Sequence, residues 1–213
     1  VKLLMQQLAQ IKVDAVLVQD MAIVDMVMHC EDNDPLAYFR NRLHASTQTD
    51  NRSADKVAWL NNIGFSRVVL ARELSSNEIK NIHQQQPNVE LEVFVHGALC
   101  VSYSGQCYAS QYCFGRSANR GECAQFCRMK FDLTDSNDKL LYQQLHLLSL
   151  KDMCQINHLE QLLEAGVVSL KIEGRLKDTT YVKNVVAAYS TRLNEIIAKS
   201  PNKYKRSSLG HCQ

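Results

Sequence analysis

Cysteine residues are concentrated in one part of this chain of 213 residues. Six of its eight cysteines lie between residues 100 and 154, in a stretch that is also rich in glycine and arginine, and five of them are candidates for one shared site: Cys100, Cys107, Cys123, Cys127 and Cys154. Thiols gathered in this way usually hold a metal ion, an iron–sulfur cluster or disulfide bonds. The group that they hold therefore largely decides what chemistry the protein performs.

The spacing of these cysteines leaves the nature of the site open. A zinc site usually has two short Cys pairs, and this chain has one, Cys123 and Cys127. A [4Fe–4S] cluster needs four thiolates and accepts longer gaps, such as the six residues between Cys100 and Cys107. Three interpretations follow: a cluster, a zinc ion, or reduced cysteines with a structural role.

Composition excludes little. No signal peptide follows Val1 and no apolar run approaches the roughly 18 residues of a membrane span. We therefore expect a soluble cytoplasmic protein, in which reducing conditions favour ligand cysteines over disulfides. A net charge of +2 argues neither for nor against binding to nucleic acid. Such binding would depend on two basic clusters: Arg116, Arg120, Arg128 and Lys130, and Lys199, Lys203, Lys205 and Arg206.

Short apolar segments recur along the chain and predict the strands of a parallel sheet. Four of them begin at Val13, Arg42, Arg67 and Glu90, and the intervals of 29, 25 and 23 residues match one β-α unit. A fifth begins at Val168, after the cysteine-rich part. Helices are predicted between the strands, namely over 53–63, after a capping box at Ser75–Glu78, after a cap at Asn157, and over 178–199.

These repeated units predict an α/β fold with a TIM-barrel-like (β/α) core, although an open doubly wound sheet also fits the pattern. A complete barrel has eight strands. The pattern shows five, so we expect the barrel to be incomplete in this chain. The predicted divisions are barrel units at 1–96, a cysteine-rich insertion over the C-terminal edge of the barrel at 97–156, a last β/α unit and helix at 157–200, and a polar tail at 201–213.

Polar side chains follow the predicted strands where each strand ends. Because the carboxyl ends of parallel strands share one edge, and that edge carries the active site of β/α folds, we expect these groups to lie together. They are Asp20, Ser46, Thr47, Gln48, Arg72, Glu73, His96, Glu173 and Arg175.

A continuous string of residues from His96 to Cys107, HGALCVSYSGQC, resembles the signature of the collagenase-like peptidases of family U32. Other strings match the family in the same order, and together they cover nearly the whole chain. They are Val18–Asp20, His44–Gln48, Val69–Glu73, Arg120–Cys123, Ser149–Cys154 and Ser169–Arg175.

The resemblance implies a β/α barrel core and an oxygen-sensitive [4Fe–4S] cluster. The ligands that it implies are Cys100, Cys107, Cys123 and Cys154, with Cys127 as a reserve candidate. The better understood members are similar to oxygen-independent hydroxylation proteins. One branch modifies a cytidine of large-subunit (23S) ribosomal RNA, another modifies the wobble uridine of certain tRNAs, and a third acts in ubiquinone synthesis. Prephenate is implicated as the hydroxyl source in at least the tRNA branch.

The segment from Arg116 to Gln125, RSANRGECAQ, looks most like the ribosomal-RNA branch of this family. Our first hypothesis is therefore a redox enzyme that hydroxylates an RNA base. Catalytic roles in binding substrate or moving protons are predicted for His96, Glu73, Arg72, Glu173 and Arg175. Substrate contacts are predicted for Asp20, His44, Gln48, Arg116, Arg120 and Arg128, with the last three on RNA phosphate.

Two other hypotheses stay open. A peptidase is implied by the family name, and Cys100 follows His96 closely, but the chain has no G-x-S-x-G or H-E-x-x-H motif and an iron-bound thiolate is not free to attack. A zinc-stabilised RNA-binding module is the third hypothesis. Under each of them, a missing remainder of the same protein or a partner subunit is expected to complete the barrel.

Overall fold

The computed structural model describes residues 1–174 and 177–206. Its strands are β1 (Val16–Val18), β2 (Leu43–Ala45), β3 (Phe65–Val69), β4 (Glu90–Gly97), β5 (Phe131–Thr134), β6 (Leu140–Leu145), β7 (Met153–Cys154) and β8 (Val167–Ile172). Its helices are α1 (Lys2–Gln10), α2 (Met21–Met28), α3 (Ala54–Asn62), α4 (Ser76–Gln85), α5 (Ala109–Phe114), α6 (Leu159–Glu164) and α7 (Thr179–Lys199). Short 3₁₀ turns connect several of them.

A mostly parallel sheet forms the centre of the described structure. Strands β1, β2, β3, β4 and β8 pair in that order and run in the same direction, while β7 pairs antiparallel with the end of β4. Sequential parallel strands joined by helices are the arrangement of a β/α unit, so this mixed α/β architecture is compatible with a TIM-barrel-like core. The five predicted parallel strands are all confirmed.

The two faces of the sheet differ in polarity because side chains alternate along each strand. Leu43, Val68, Leu91 and Val95 are buried in the hydrophobic core with residues of the helices. The opposite face, which we call the inner face, carries charged and polar groups instead. Its members are His44, Arg67, Glu92, Ser169 and Lys171.

Side-chain capping marks where α3 and α4 begin. The hydroxyl of Ser53 accepts a hydrogen bond from the backbone N–H of Lys56 at the start of α3. The predicted capping box of α4 is present in both halves, because Ser75 and Glu78 each accept from the other's backbone N–H. The predicted cap at Asn157 is wrong: a 3₁₀ turn over Ile156–His158 precedes α6, and no side chain caps that helix.

Replacing Ser75 with alanine is expected to lower the free energy of unfolding by about 1 kcal/mol, because the N–H groups in the first turn of α4 lose their acceptor. Chemical denaturation measures this change. Ser76→Ala, one residue further along, is the matched control and should change stability by much less. Equal losses in the two variants would show that the capping box contributes nothing measurable.

Two strands, the first and the third, differ most from the sequence-based prediction. The first strand is shorter than predicted, because Asp20 caps α2 and ends the extended segment. The third strand begins earlier, at Phe65, and ends before Leu70. The side-chain amide of Asn51 donates to the carbonyl of Val69 at 2.8 Å and stabilises that end.

The segment between β4 and β7 contains more regular structure than its sequence predicts. This cysteine segment (residues 98–152) includes α5 and an antiparallel hairpin made of β5 and β6. The hairpin carries exposed apolar side chains, among them Leu133, Leu141 and Tyr142. Within the described residues, no helix combines the length and apolar character needed to cross a membrane.

Candidate functional site

A cavity of about 580 Å³ lies where the parallel strands end. Its lining combines the carboxyl ends of the strands with the first half of the cysteine segment. Val18, Thr47, Arg72 and Phe94 contribute from the sheet side, together with residues 98–128 from the other side. The edge at which sequence analysis places the site therefore borders a real concavity, as in other β/α folds.

Four cysteines line this cavity, namely Cys100, Cys107, Cys123 and Cys127, and each is partly buried. Burial raises the pKa of the Cys127 thiol, and the nearby Cys100 and Cys123 raise it further, while Arg128 lowers it. These three thiols are therefore close enough to interact electrostatically. The backbone N–H of Gln125 also donates to the sulfur of Cys123 at 3.4 Å.

Cys154 has a different environment. It lies in β7, opposite His96 of β4, and is exposed. The hydroxyl of Tyr189 lies 4.0 Å from its sulfur. Among the described residues, the cavity lining includes the other four cysteines of the group but not Cys154. The structure thus brings Cys127 together with Cys100 and Cys123 and leaves Cys154 nearby at the edge of the sheet.

The donor chemistry of the cavity fits an iron–sulfur cluster, because four thiols face one space and a backbone N–H reaches a sulfur. Thiolates on a single zinc ion lie about 3.8 Å apart, given Zn–S bonds of about 2.3 Å. In the described part of the chain, no three Cys, His, Asp or Glu side chains are grouped to hold one metal ion. Both cluster and zinc remain predictions at this site.

Hydrogen bonds from Ser104 to Glu73 hold the loop between Cys100 and Cys107 against the edge of the sheet. Ser104 is fully buried, and its N–H and hydroxyl donate to the two carboxylate oxygens of Glu73, at 2.6 and 3.1 Å. The hydroxyl of Thr47 donates to that of Ser104 at 3.3 Å. The structure therefore places Glu73, predicted to be catalytic, where it positions the cysteine loop.

Arg128 joins three parts of the cysteine segment. Its guanidinium donates to the carbonyl of Leu99 at 2.9 Å, to the hydroxyl of Ser149 at 2.8 Å and to the carbonyl of Leu150. This geometry occupies much of the donor capacity of a residue predicted to contact RNA phosphate. Its side chain nevertheless lines the cavity.

The other predicted catalytic residues lie at different places. Arg72 and Glu173 line the cavity. His96 lies between two tyrosines of α7, with Nε2 3.0 Å from the Tyr181 hydroxyl and Nδ1 3.4 Å from the Tyr189 hydroxyl. These two contacts connect α7 to β4. Arg175 lies outside the described residues.

The predicted substrate-binding residues are also divided. Asp20, Gln48 and Arg120 line the cavity, and the carboxylate of Asp20 also caps α2. Arg116 is exposed on the loop after α5 and is not part of the lining among the described residues. His44 lies on the inner face of the sheet, in the middle of β2 and not after its carboxyl end.

Sequence analysis missed several residues of the cavity. Phe94 and Lys171 lie inside β4 and β8, each two residues before a predicted site residue, and both reach the cavity. The period-two alternation of strands was the signal that could have found them. From the cysteine segment, the lining also includes Tyr103, Asn119 and Gln125.

A charged network covers the inner face next to the cavity. The carboxylate of Glu92, 8% exposed, accepts from the Ser169 hydroxyl at 2.8 Å and pairs with Lys171 at 3.3 Å and Arg67 at 3.5 Å. Arg67 also pairs with Glu90 at 2.6 Å. The pKa of Glu92 is lowered overall: burial raises it, and the hydrogen bond from Ser169 and the charge of Lys171 outweigh that effect.

His44 beside this network predicts a pH dependence of stability. Burial lowers its pKa below the ordinary value of 6.5, and the charge of Arg67 lowers it further. The unfolded chain therefore binds a proton first as the pH falls, so this contribution to stability is complete above pH 6.5 and decreases below it. We expect the midpoint temperature of thermal unfolding to decrease as the pH is lowered from about 7 to about 5.

The measurement is thermal unfolding across that range in the wild type and in His44→Gln. In the variant the unfolding midpoint should depend less steeply on pH, because the variant carries no titrating group at this position. His29, which is exposed at the end of α2, supplies the control variant His29→Gln. An unchanged slope in His44→Gln would remove His44 as its cause.

Comparisons with known proteins identify the family of this chain. The chain matches Peptidase family U32 over residues 1–211. It is 46% identical over 205 residues to the "23S rRNA 5-hydroxycytidine C2501 synthase" of Escherichia coli (strain K12), covering 96% of this chain and 30% of that protein. It is 39% identical over 166 residues to "tRNA hydroxylation protein P1" of Bacillus subtilis (strain 168), covering 75% of this chain and 39% of that protein.

A third relative is the "Collagenase" of Porphyromonas gingivalis, 35% identical over 159 residues, covering 69% of this chain and 38% of that protein. A solved structure of a U32 peptidase overlaps 45% of this chain and 36% of its own with a TM-score of 0.35 and 16% identity, too little to support an argument. The chain spans between about a third and two fifths of these curated relatives. It belongs to peptidase family U32.

Proposed function

We propose that this chain is the cluster-binding part of an enzyme that hydroxylates RNA, and that its substrate is a cytidine of 23S ribosomal RNA. The observation that carries the proposal is the cavity at the carboxyl ends of the strands, whose wall presents three of the proposed ligands, Cys100, Cys107 and Cys123, together with Cys127. The similarity to a protein named as a ribosomal-RNA 5-hydroxycytidine synthase supports the choice of substrate. The chain spans 30% of that relative, so the activity of the whole protein is part of the proposal.

Hydroxylation of a pyrimidine replaces a C–H bond with a C–O bond, so two electrons must leave the base. When bound, a [4Fe–4S] cluster would exchange single electrons with a group beside it. The proposed ligands are Cys100, Cys107, Cys123 and Cys154. The oxygen atom would come from a donor other than dioxygen, for which prephenate is our candidate. A donor that gives up an oxygen atom is reduced by two electrons, so it would accept the two electrons that leave the base.

The chain's own residues have the tasks of admitting and orienting the base. A base inside folded RNA must leave its stack before it can enter a cavity of this kind. Tyr103 is exposed at the cavity, where its ring can stack on a base, and the guanidinium of Arg52 lies over the same ring at 5.0 Å. The side-chain amides of Asn119 and Gln125 can then bond the Watson–Crick edge.

The experiment is nucleoside mass spectrometry of ribosomal RNA from a strain that lacks the gene for this protein. We expect 5-hydroxycytidine to disappear from 23S ribosomal RNA and to return when the wild-type gene is restored. Loss of a hydroxylated wobble uridine from tRNA instead would move the function to the tRNA branch, and loss of ubiquinone would move it to that pathway. Unchanged RNA and quinone would overturn the proposal.

Proteolysis is the second candidate, because one relative is named a collagenase. A cysteine peptidase needs a histidine that accepts the proton of the thiol. Both ring nitrogens of His96 contact tyrosine hydroxyls, so the geometry does not favour a pair with Cys100. Cleavage of gelatin by the iron-free protein, abolished in Cys100→Ala, would support this candidate over hydroxylation.

A further inference from the structure

The floor of the cavity carries two cations around one aromatic ring. The guanidinium carbon of Arg72 lies 6.0 Å from the centre of the Phe94 ring, and the ammonium of Lys171 lies 5.5 Å from it. All three side chains line the cavity. The negative face of an aromatic ring attracts cations, so both positive groups are drawn toward Phe94.

The neighbouring carboxylates do not neutralise both cations. Glu92 pairs with Lys171, but it also pairs with Arg67, whose other partner is Glu90. These two acids and two bases balance one another. Arg72 has no carboxylate within salt-bridge distance among residues 1–174 and 177–206, so its charge is the surplus of this group.

The other charged side chains of the cavity show a similar excess. Apart from the cysteines, four cationic side chains belong to its described lining, against two carboxylates: Arg72, Arg120, Arg128 and Lys171 against Asp20 and Glu173. Arg128 uses its donors on the cysteine segment and Arg120 is exposed. The pair formed by Arg72 and Lys171 is thus the part of the lining best placed to receive negative charge inside the cavity.

We propose that Arg72 and Lys171, held on the ring of Phe94, form an oxyanion-binding subsite on the floor of this cavity. Its ligand is a phosphate or carboxylate group, which replaces the missing counter-charge of Arg72. The inference rests on the proposed function for the origin of that group, which belongs either to the RNA backbone or to a small carboxylic acid consumed in the reaction. The subsite itself rests only on the charges and contacts described here.

The test uses the whole protein, purified without oxygen, and three probes: inorganic phosphate, malonate and a short single-stranded RNA. Isothermal calorimetry at low ionic strength gives each dissociation constant, because salt would screen the interaction. The wild type should bind at least one probe, and Arg72→Gln should weaken that binding about tenfold or more. Lys56→Gln removes a charge from α3, at a residue outside the described lining of the cavity, and should leave the binding unchanged.

Lys171 needs a more careful variant, because Lys171→Gln also removes a partner of the buried Glu92 and so affects folding. Lys171→Arg keeps the charge and should retain binding, whereas Lys171→Gln, if folded by circular dichroism, should lose it about tenfold. Failure of the wild type to bind any probe would overturn the subsite. So would an Arg72→Gln variant that binds every probe as tightly as the wild type.

The three probes also identify the source of the oxyanion. Weaker binding of phosphate and malonate in Arg72→Gln indicates a small ligand, and weaker binding of RNA alone indicates a backbone phosphate. Neither result depends on hydroxylation. If the variants lose anion binding while RNA from the deletion strain keeps its hydroxyl groups, the subsite stands and the proposed function fails. If the variants keep anion binding while the deletion strain loses the hydroxyl group from its RNA, the proposed function stands and the subsite fails.

Discussion

Replacing Cys123 with alanine is expected to remove nearly all bound iron from the protein purified without oxygen and to abolish RNA hydroxylation. Cys123 lines the cavity beside Cys100 and Cys127, and a [4Fe–4S] cluster needs four thiolates. Iron and sulfide analysis with the visible absorption spectrum measures the first effect, and nucleoside mass spectrometry measures the second. Cys113→Ala is the matched control, because Cys113 is exposed on α5 in the same segment.

Full iron content in Cys123→Ala would contradict the cluster proposal, and stoichiometric zinc in the wild type would replace it with the zinc interpretation. The fourth ligand is a separate question. Our proposal keeps Cys154, which the family resemblance implies, so Cys154→Ala should lose iron and Cys127→Ala should retain it. The reverse result would move the fourth ligand to Cys127, which the structure places with Cys100 and Cys123.

The repeated β/α units could be predicted because each one leaves a local signal. A strand such as β4 is a run of β-branched and apolar residues, and the helix before it begins at the capping box of Ser75 and Glu78. The hairpin of β5 and β6 leaves no such signal. Its strands are exposed along nearly their whole length, so no alternation of buried and polar residues marks it in the sequence.

The candidate site was only partly predictable for a related reason. Strand ends can be read from the sequence, and that rule found Asp20, Gln48, Arg72 and Glu173, which line the cavity. It cannot tell which of two polar groups faces the cavity and which holds the backbone. Glu73 follows Arg72 directly, yet its carboxylate binds Ser104, a contact across 31 residues that no local pattern specifies.

Gly105→Ala is expected to displace the cysteine loop from the sheet edge. Gly105 has a φ of +75°, a left-handed conformation that costs other residues about 1–2 kcal/mol. A Cβ atom at this position would also lie 2.3 Å from the backbone carbonyl oxygen of Gln48. Because that oxygen belongs to the backbone, the loop itself must move. The hydrogen bonds from Ser104 to Glu73 are then lost.

Comparison with Gly115→Ala separates the two causes. Gly115 also has a positive φ, +64°, but no atom of the described residues, other than those of its two chain neighbours, lies within 4 Å of the Cβ position, so this variant carries the conformational cost alone. Gly105→Ala should therefore lose at least about 1 kcal/mol more free energy of unfolding, since restoring the contact requires backbone movement. It should also lose most of its bound iron, while Gly115→Ala keeps it. Equal stability and equal iron content in the two variants would show that close packing against Gln48 does not position Cys100 and Cys107.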